Sequence, residues 1–449
     1  MTRRETVLKH FDEQREYMDA RINGGIEAHR KGYANLKFTL PDGTEVKSLN
    51  FTAVQKSHDF NFGCNMFLLD EFESEEKNKI YREIFPQAFN YAVAPFYWDG
   101  LEPTKGKPRY AKDSEKVYRR PSPDRVYEYC KENGIRIKGH CLVYDNFSPN
   151  WLPDDPAEIK RAIKAHIEEI AQRYSDVIFD WDIVNEVWWP CYGKTHNGGT
   201  RFYRSGDYVR YPFKIADRAG FERKFINEAT HIWDDFHFER TPYYLFLKTL
   251  LAENVPFDGI GMQFHQFCQR ADEEKYALDR YNPARVYDVL DTFEKLGKPV
   301  QISEITIASY NGDSEDMDIQ AELLRNMYKI WFSHKSIDGI VYWNLVDGYT
   351  YTGDNTNTGM LDMTKGENQF GGALLYNDMT PKPAFKALKQ LINDEWHTSL
   401  SSVTNDAGEA RIRGFKGMYD VEFEYNGKRY KKEFHLDGRD DFTVKIVID

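Results

Sequence analysis

Cysteine is scarce in this chain, with five in 449 residues. Cys64, Cys130, Cys141, Cys191 and Cys268 are odd in number, widely spaced and form no C-x-x-C, so neither a disulfide framework nor a zinc site is expected. No stretch approaches the ~20 apolar residues of a membrane span. The start, "MTRRETVLKHFDEQREYMDARI", is basic but has no apolar segment of signal-peptide length. These absences together predict a soluble, reduced, cytoplasmic protein. Positive charge is also in short supply: 60 Lys and Arg against 72 Asp and Glu give a formal net charge of -12. Nucleic acid and anionic membranes both need basic patches, so neither is an expected partner.

Aromatic side chains are plentiful, at 15% of residues. Their flat faces pack against the apolar faces of sugar rings, and they also fill cores; composition does not separate the two. Hydrophobic residues make up 41%, enough for a sizeable core. The length exceeds one ordinary domain and suits a large α/β barrel with a small added module.

Residues 1 to about 32 read as a charged helix with Val7, Leu8, Phe11, Met18 and Ile22 on one side. "YANLKFTLPDGTEVKSLNFTAVQKSH" then alternates apolar and polar residues around a Pro-Asp-Gly turn, a strand signal. The tail, "ARIRGFKGMYDVEFEYNGKRYKKEFHLDGRDDFTVKIVID", behaves the same way, with a hairpin signal at Asn426-Gly427. Neither β-rich stretch buries a face well alone. The expectation is one accessory β-sandwich built from residues 1–57 and 396–449 around a barrel of residues 58–395. The alternative is a tail that forms an independent sugar-binding module.

Between these ends, strands and helices alternate. The candidate strands are "FNFGCNMF", "FNYAVAPFY", "IRIKGHCLV", "VIFDWDIVNE", "THIWDD", "DGIGMQF", "PVQISEITI" and "GIVYWNLVD". Helical spacing is clearest in "DPAEIKRAIKAHIEEIAQRYS" and "DMDIQAELLRNMYKIWFSH". Asp155 before Pro156 is a helix start; Asn133-Gly134 and Leu296-Gly297 are helix stops. The alternation alone indicates an α/β protein with a parallel sheet. Eight such units make a (β/α)₈ barrel, whose site lies where the strands end.

One stretch carries chemistry. In "DWDIVNEVWW" an apolar strand gives way to Asn185 and Glu186, followed by Val187, Trp188 and Trp189. A carboxylate there is poorly solvated, which raises its pKa and suits a group that holds a proton near neutral pH and then releases it. Other strand ends are polar too: His140 on the third, Gln263 and His265 on the sixth, Glu304 on the seventh, Trp343 and Asn344 on the eighth. Two glutamates facing one bowl are what glycoside hydrolysis needs, one to protonate the departing oxygen and one to face the anomeric carbon. Apolar surroundings favour the protonated form of Glu186. Ser303 and His265, as donors, are expected to favour the charged form of Glu304.

These residues resemble glycoside hydrolase family 10, the retaining endo-β-1,4-xylanases. "WDIVNE" is similar to its W-D-V-V-N-E acid/base signature and "QISEITI" to its nucleophile strand. "GHCLVY" resembles G-H-T-L-V-W, "DGIGMQFH" resembles D-G-I-G-x-Q-x-H, and "TPKPAFKAL" resembles the closing K-P-A-Y segment. The motifs run in family order over roughly residues 58 to 395. The resemblance implies a (β/α)₈ barrel and double displacement on xylan or xylo-oligosaccharides, with Glu304 as nucleophile, Glu186 as acid/base, and no metal or cofactor. It further implies that Asn185 bonds the sugar 2-hydroxyl, Gln263 helps hold that region, His265 orients Glu304, His140 binds the cleaved sugar and Trp343 forms its apolar floor.

The family's second strand ends E-N-x-x-K-W, whereas here Pro95 to Trp98 read "PFYW". Tyr144 stands for a Trp, Asp145 for a His, Phe147 for a Gln, and Tyr351 for a second Trp. The glycone side is therefore rebuilt with aromatics, Trp98, Tyr144 and Tyr351 among the candidate sugar contacts. Substituted xylo-oligosaccharides or another β-glycoside remain alternative substrates. A carbohydrate-binding protein on a retired scaffold is the alternative from another class.

Overall fold

The computed structural model describes residues 2–188, 201–353, 356, 358–439 and 443–449. Trp189 and Cys191 therefore lie outside the described residues.

The N-terminal segment is helical, as its spacing predicts, but broken into Arg3–Val7, Lys9–Glu13 and Arg15–His29. Strands β1 (Lys31–Thr39) and β2 (Asn50–His58) follow. Eight parallel strands then close a barrel: β3 (Asn61–Asn65), β4 (Tyr91–Pro95), β5 (Arg136–Val143), β6 (Asp180–Asn185), β7 (Arg223–Glu228), β8 (Gly259–His265), β9 (Val300–Thr306) and β10 (Ile337–Tyr342). Each pairs with its neighbour in sequence, and β10 closes the ring on β3. Four of these strands are buried along their whole length and the other four at all but one residue, because helices cover their outer faces. The helix signals act as expected. Asp155 caps Pro156–Tyr174 by accepting from the Ala157 and Glu158 amides at 3.0 Å each.

The fifth strand differs from the sequence reading. It is Arg223–Glu228, "RKFINE", while "THIWDD" lies in the loop after it. Lys224 hides the strand from a hydropathy pattern, because it is buried and its charge is met by Asp258 at 2.7 Å. Ile232 and Trp233 mimic a strand because the loop turns both into the core.

Strands β11 (Ser399–Val403), β12 (Glu409–Phe415), β13 (Gly417–Tyr425), β14 (Lys428–Leu436) and β15 (Thr443–Val447) complete the chain. The tail does not form its own module. Sheet β12-β1-β15 and sheet β11-β2-β13-β14 each combine N- and C-terminal strands. Their inner faces share one core, including Leu36, Phe38, Phe51, Ile412, Val421 and Leu436. Asn426 and Gly427, both with positive φ (50° and 77°), make the β13–β14 turn. Because β2 ends at His58 and β3 begins at Asn61, this sandwich sits at the amino ends of the barrel strands. The cleft opens at the other end.

Close packing inside the barrel fixes the height of β5 against β6. A Cβ at Gly139 would lie 2.2 Å from the Trp181 ring, and Trp181 is fully buried with its indole N–H donating to Ile178 O. Gly139→Ala is expected to destabilise the protein by about 1–3 kcal/mol, the usual range for overpacking. Denaturant unfolding reads this directly; an unchanged midpoint would mean that Trp181 has room to move.

Candidate active site

The carboxyl ends of the strands surround a cleft of about 720 Å³, lined only by residues between Phe67 and Phe370. Of the residues singled out by sequence, Tyr144, Glu186, Gln263, His265, Glu304, Trp343 and Tyr351 line it. His140 and Asn185, each 1% exposed, lie just beneath.

Glu186 follows β6 with a left-handed backbone, φ 51°, a conformation that costs a non-glycine residue free energy and persists only where its surroundings hold it. Its amide donates to Asn227 O at 2.9 Å. Its carboxyl group sits between two donors: Tyr144 Oη to Oε2 at 2.5 Å and Gln263 Nε2 to Oε1 at 3.1 Å. Burial and the nearby Glu304 charge push Glu186 up to about 7, against the pull of those donors.

Glu304 accepts from Asn227 Nδ2 at 2.8 Å and has His265 Nε2 at 3.2 Å. Burial lowers the His265 pKa to about 4, so at neutral pH it is the uncharged imidazole. Nδ1 faces the Thr306 hydroxyl at 2.9 Å; with that nitrogen accepting, Nε2–H donates to Glu304. The expectation that donors hold Glu304 in its charged range is corrected here. Burial outweighs His140 and Asn227 and raises Glu304 to about 7 as well. Ser303, assigned to Glu304 by sequence, donates instead to Asn227 Oδ1 at 2.5 Å. Carboxyl groups that repel each other titrate in coupled steps, so the upward shifts belong to the pair rather than to either residue alone.

His140 is gripped on both nitrogens, with Nδ1 2.8 Å from Asp182 Oδ2 and Nε2 2.9 Å from Tyr97 Oη. Burial alone would raise Asp182, but buried Lys138 (2.7 Å) and His140 outweigh it and hold it below the usual range. Trp343 stands edge-on to Phe67 (5.1 Å between centroids) and His140 (5.4 Å). Trp98 is a correction. It is 4% exposed and stacks on His166 at 4.1 Å, its N–H donates to Glu102, and it does not reach the cleft. The short helix Trp98–Leu101 turns its indole into the core and leaves Tyr97 facing the site.

The missed strand β7 hid two polar residues. Asn227 Nδ2 bridges Asn185 Oδ1 (2.7 Å) and Glu304 Oε1. Glu228 accepts from the amides of Ala229, Thr230 and Trp188 and from the Thr230 hydroxyl. Burial raises its pKa to about 8. The signal was in the sequence: "FINE" ends as "DIVNE" does, with an apolar strand running into Asn-Glu. Among the described residues the one His/Asp/Glu trio close enough to share a metal is Asp291, Glu294 and His334. It lies outside the cleft and is engaged by Arg21 and Lys335. The four described cysteines carry free thiols. Among the described residues no helix is long and apolar enough to cross a membrane.

A closed parallel barrel with buried Glu304 and partly buried Glu186 lining one cleft at its carboxyl end defines the class: a (β/α)₈ barrel with a paired-carboxylate cleft. More particularly, the chain belongs to glycosyl hydrolase family 10, whose model matches residues 65–391. It is 23% identical over 413 residues to the anti-sigma-I factor RsgI6 of Acetivibrio thermocellus, covering 90% of this chain and 46% of that protein. Identity to endo-1,4-beta-xylanase B of Neocallimastix patriciarum is 25% over 341 residues, covering 74% of this chain and 35% of that one. The chain thus spans less than half the length of either relative. Xylanase 10B of Thermotoga maritima has a similar fold, with a TM-score of 0.56 at 20% identity over 75% of this chain and 96% of that one.

Proposed function

We propose that the protein is a retaining glycoside hydrolase that cleaves internal β-1,4 linkages of xylan-type oligosaccharides. One observation carries the reading: Glu186, just after β6, and Glu304, on β9, enter one cleft from the carboxyl end of the barrel, each held by its own pair of side chains. Family membership and the xylanase relative support it. In this mechanism Glu304 carboxylate attacks the anomeric carbon while the glycosidic C–O bond breaks and Glu186 gives its proton to the leaving oxygen. Glu186 carboxylate then takes a proton from water, which attacks the glycosyl-enzyme and releases Glu304. Asn185, whose carbonyl oxygen is engaged by Asn227, donates from its amide nitrogen to the 2-hydroxyl. Trp343 is the apolar floor, and His140 meets the cleaved sugar.

Hydrolysis of xylohexaose followed by proton NMR tests the proposal. The first-formed product is expected to be the β-anomer, the outcome of two successive inversions at the anomeric carbon. An α-anomer would remove double displacement, and no turnover on any β-glycoside would leave a sugar-binding protein.

Tyr144 is a positioning residue for the acid/base. Its hydroxyl favours the charged form of Glu186, so removing it favours the protonated form. Activity is expected to fall as pH rises through about 7, where Glu186 loses its proton. In Tyr144→Phe that alkaline limb is expected to move up by about one pH unit, the scale of one hydrogen bond to a charged group. A pH–rate profile checks this, and a limb that stays in place would show that the hydroxyl does not set the proton affinity.

A further inference from the structure

The glycone wall holds two consecutive arginines that the mechanism does not use. Arg119 and Arg120 are 3% and 4% exposed, and both line the cleft. Successive side chains of an extended segment point to opposite sides. Arg119 adopts a left-handed backbone, φ 59°, which lets both guanidinium groups face inward at a conformational cost. The loop carrying them is stapled by buried Arg109, which donates to Gly100 O at 2.6 Å and Arg120 O at 3.2 Å. Arg119 Nη1 donates to Tyr349 O at 2.7 Å and Tyr118 Oη to Thr350 O at 3.1 Å. This is a rigid arrangement.

The guanidinium groups stand beside flat rings. Arg120 Cζ lies 4.1 Å from the Tyr97 centroid and 5.2 Å from Phe147, and Arg119 Cζ lies 5.4 Å from Phe67. Among the described residues no carboxylate forms an ion pair with Arg119, and its buried Nε has no hydrogen-bond partner. A buried cation satisfied only by a carbonyl is costly unless an anion meets it. Four acidic residues among those described line the cleft. Glu186 and Glu304 are the proposed catalytic pair, Glu367 accepts from Asn344 Nδ2 at 2.6 Å, and Asp234 is paired with Arg280 at 2.7 Å.

We infer that Arg119 and Arg120 form a carboxylate-binding wall on the glycone side, so that the preferred substrate is a glycan bearing a uronosyl group. The inference rests on the glycosidase reading and specifies its substrate class. A planar guanidinium matches a carboxylate through two parallel hydrogen bonds, whereas a sugar hydroxyl takes one.

The test compares xylotetraose with xylotetraose carrying one glucuronosyl branch. Binding is measured by calorimetry to the inactive Glu304→Gln protein, and kcat/KM is measured on the active enzyme. The acidic oligosaccharide is expected to bind at least about tenfold more tightly, about 1.4 kcal/mol, with a preference that shrinks as salt rises. Arg119→Gln and Arg120→Gln, each made in the active and in the Glu304→Gln background, are expected to lower the acidic-to-neutral ratio at least fivefold, with the Lys replacements falling between. Equal affinity of the parent protein for the two sugars overturns the inference without any variant, as does an unchanged ratio in both Gln variants. Turnover of both sugars without acid preference removes the carboxylate wall and keeps the hydrolase. Acid-selective binding without turnover does the reverse.

Discussion

Glu304→Ala is expected to abolish turnover on every substrate, by roughly 10⁴-fold or more, the scale seen when a nucleophile is removed. The reasoning is chemical. Without the carboxylate no bond forms to the anomeric carbon, so no glycosyl-enzyme exists, however good the leaving group. The surroundings make this loss specific. Asn227, His265 and His140 all converge on that carboxylate and would be left facing a small cavity. Azide is small enough to enter it, attack from the same face and depart with the sugar, with Glu186 still protonating the leaving oxygen. The azide product is expected to have the α-configuration, opposite to the substrate. Recovered activity with a β-configured azide, or none at all, would take the nucleophile role from Glu304.

Glu186→Ala is the second large effect, and its size depends on the substrate. Xylo-oligosaccharides leave as poor alkoxides and need the proton, so a loss of roughly 10²–10⁴-fold is expected from removing general acid catalysis. A dinitrophenyl β-xyloside leaves unaided, so its first step is expected to survive nearly intact and its glycosyl-enzyme to accumulate, because no base remains to activate water. Burst kinetics would show both. Equal losses on both substrates would indicate that Glu186 shapes the site without donating the proton. The same residue then reports on pH: its proton is present below about 7 and absent above, which is the direction expected for the alkaline limb.

Much of this site was legible before any coordinates. Glu186 and Glu304 stand at the ends of apolar strands, and Gln263 and His265 alternate along one strand and so share a face. What misled was charge and aromaticity used against type. Lys224 is a buried lysine neutralised by Asp258, so β7 did not read as a core strand, and Asn227 went with it. Trp98 looked like a sugar platform because indoles so often are; here its ring fills space above His166. Ser303 neighbours Glu304 in sequence, yet at the register shift between β8 and β9 its hydroxyl donates to Asn227 Oδ1, and it is the amide nitrogen of that same Asn227 that reaches Glu304.

The sequence by itself determined the α/β alternation and the two carboxylates. Strand period, helix caps and hairpin turns are encoded within a few residues, whereas an open and a closed parallel sheet both satisfy the same alternation. Only the tertiary structure decided the partners. Tyr144 meets Glu186 across 42 residues and Asn227 meets Glu304 across 77, and Arg119 faces the cleft because a left-handed backbone turns it inward. Those meetings depend on barrel closure and side-chain direction, which no local pattern records. Closure also desolvates both glutamates together, and that shared burial lifts Glu304 as well as Glu186 towards neutrality.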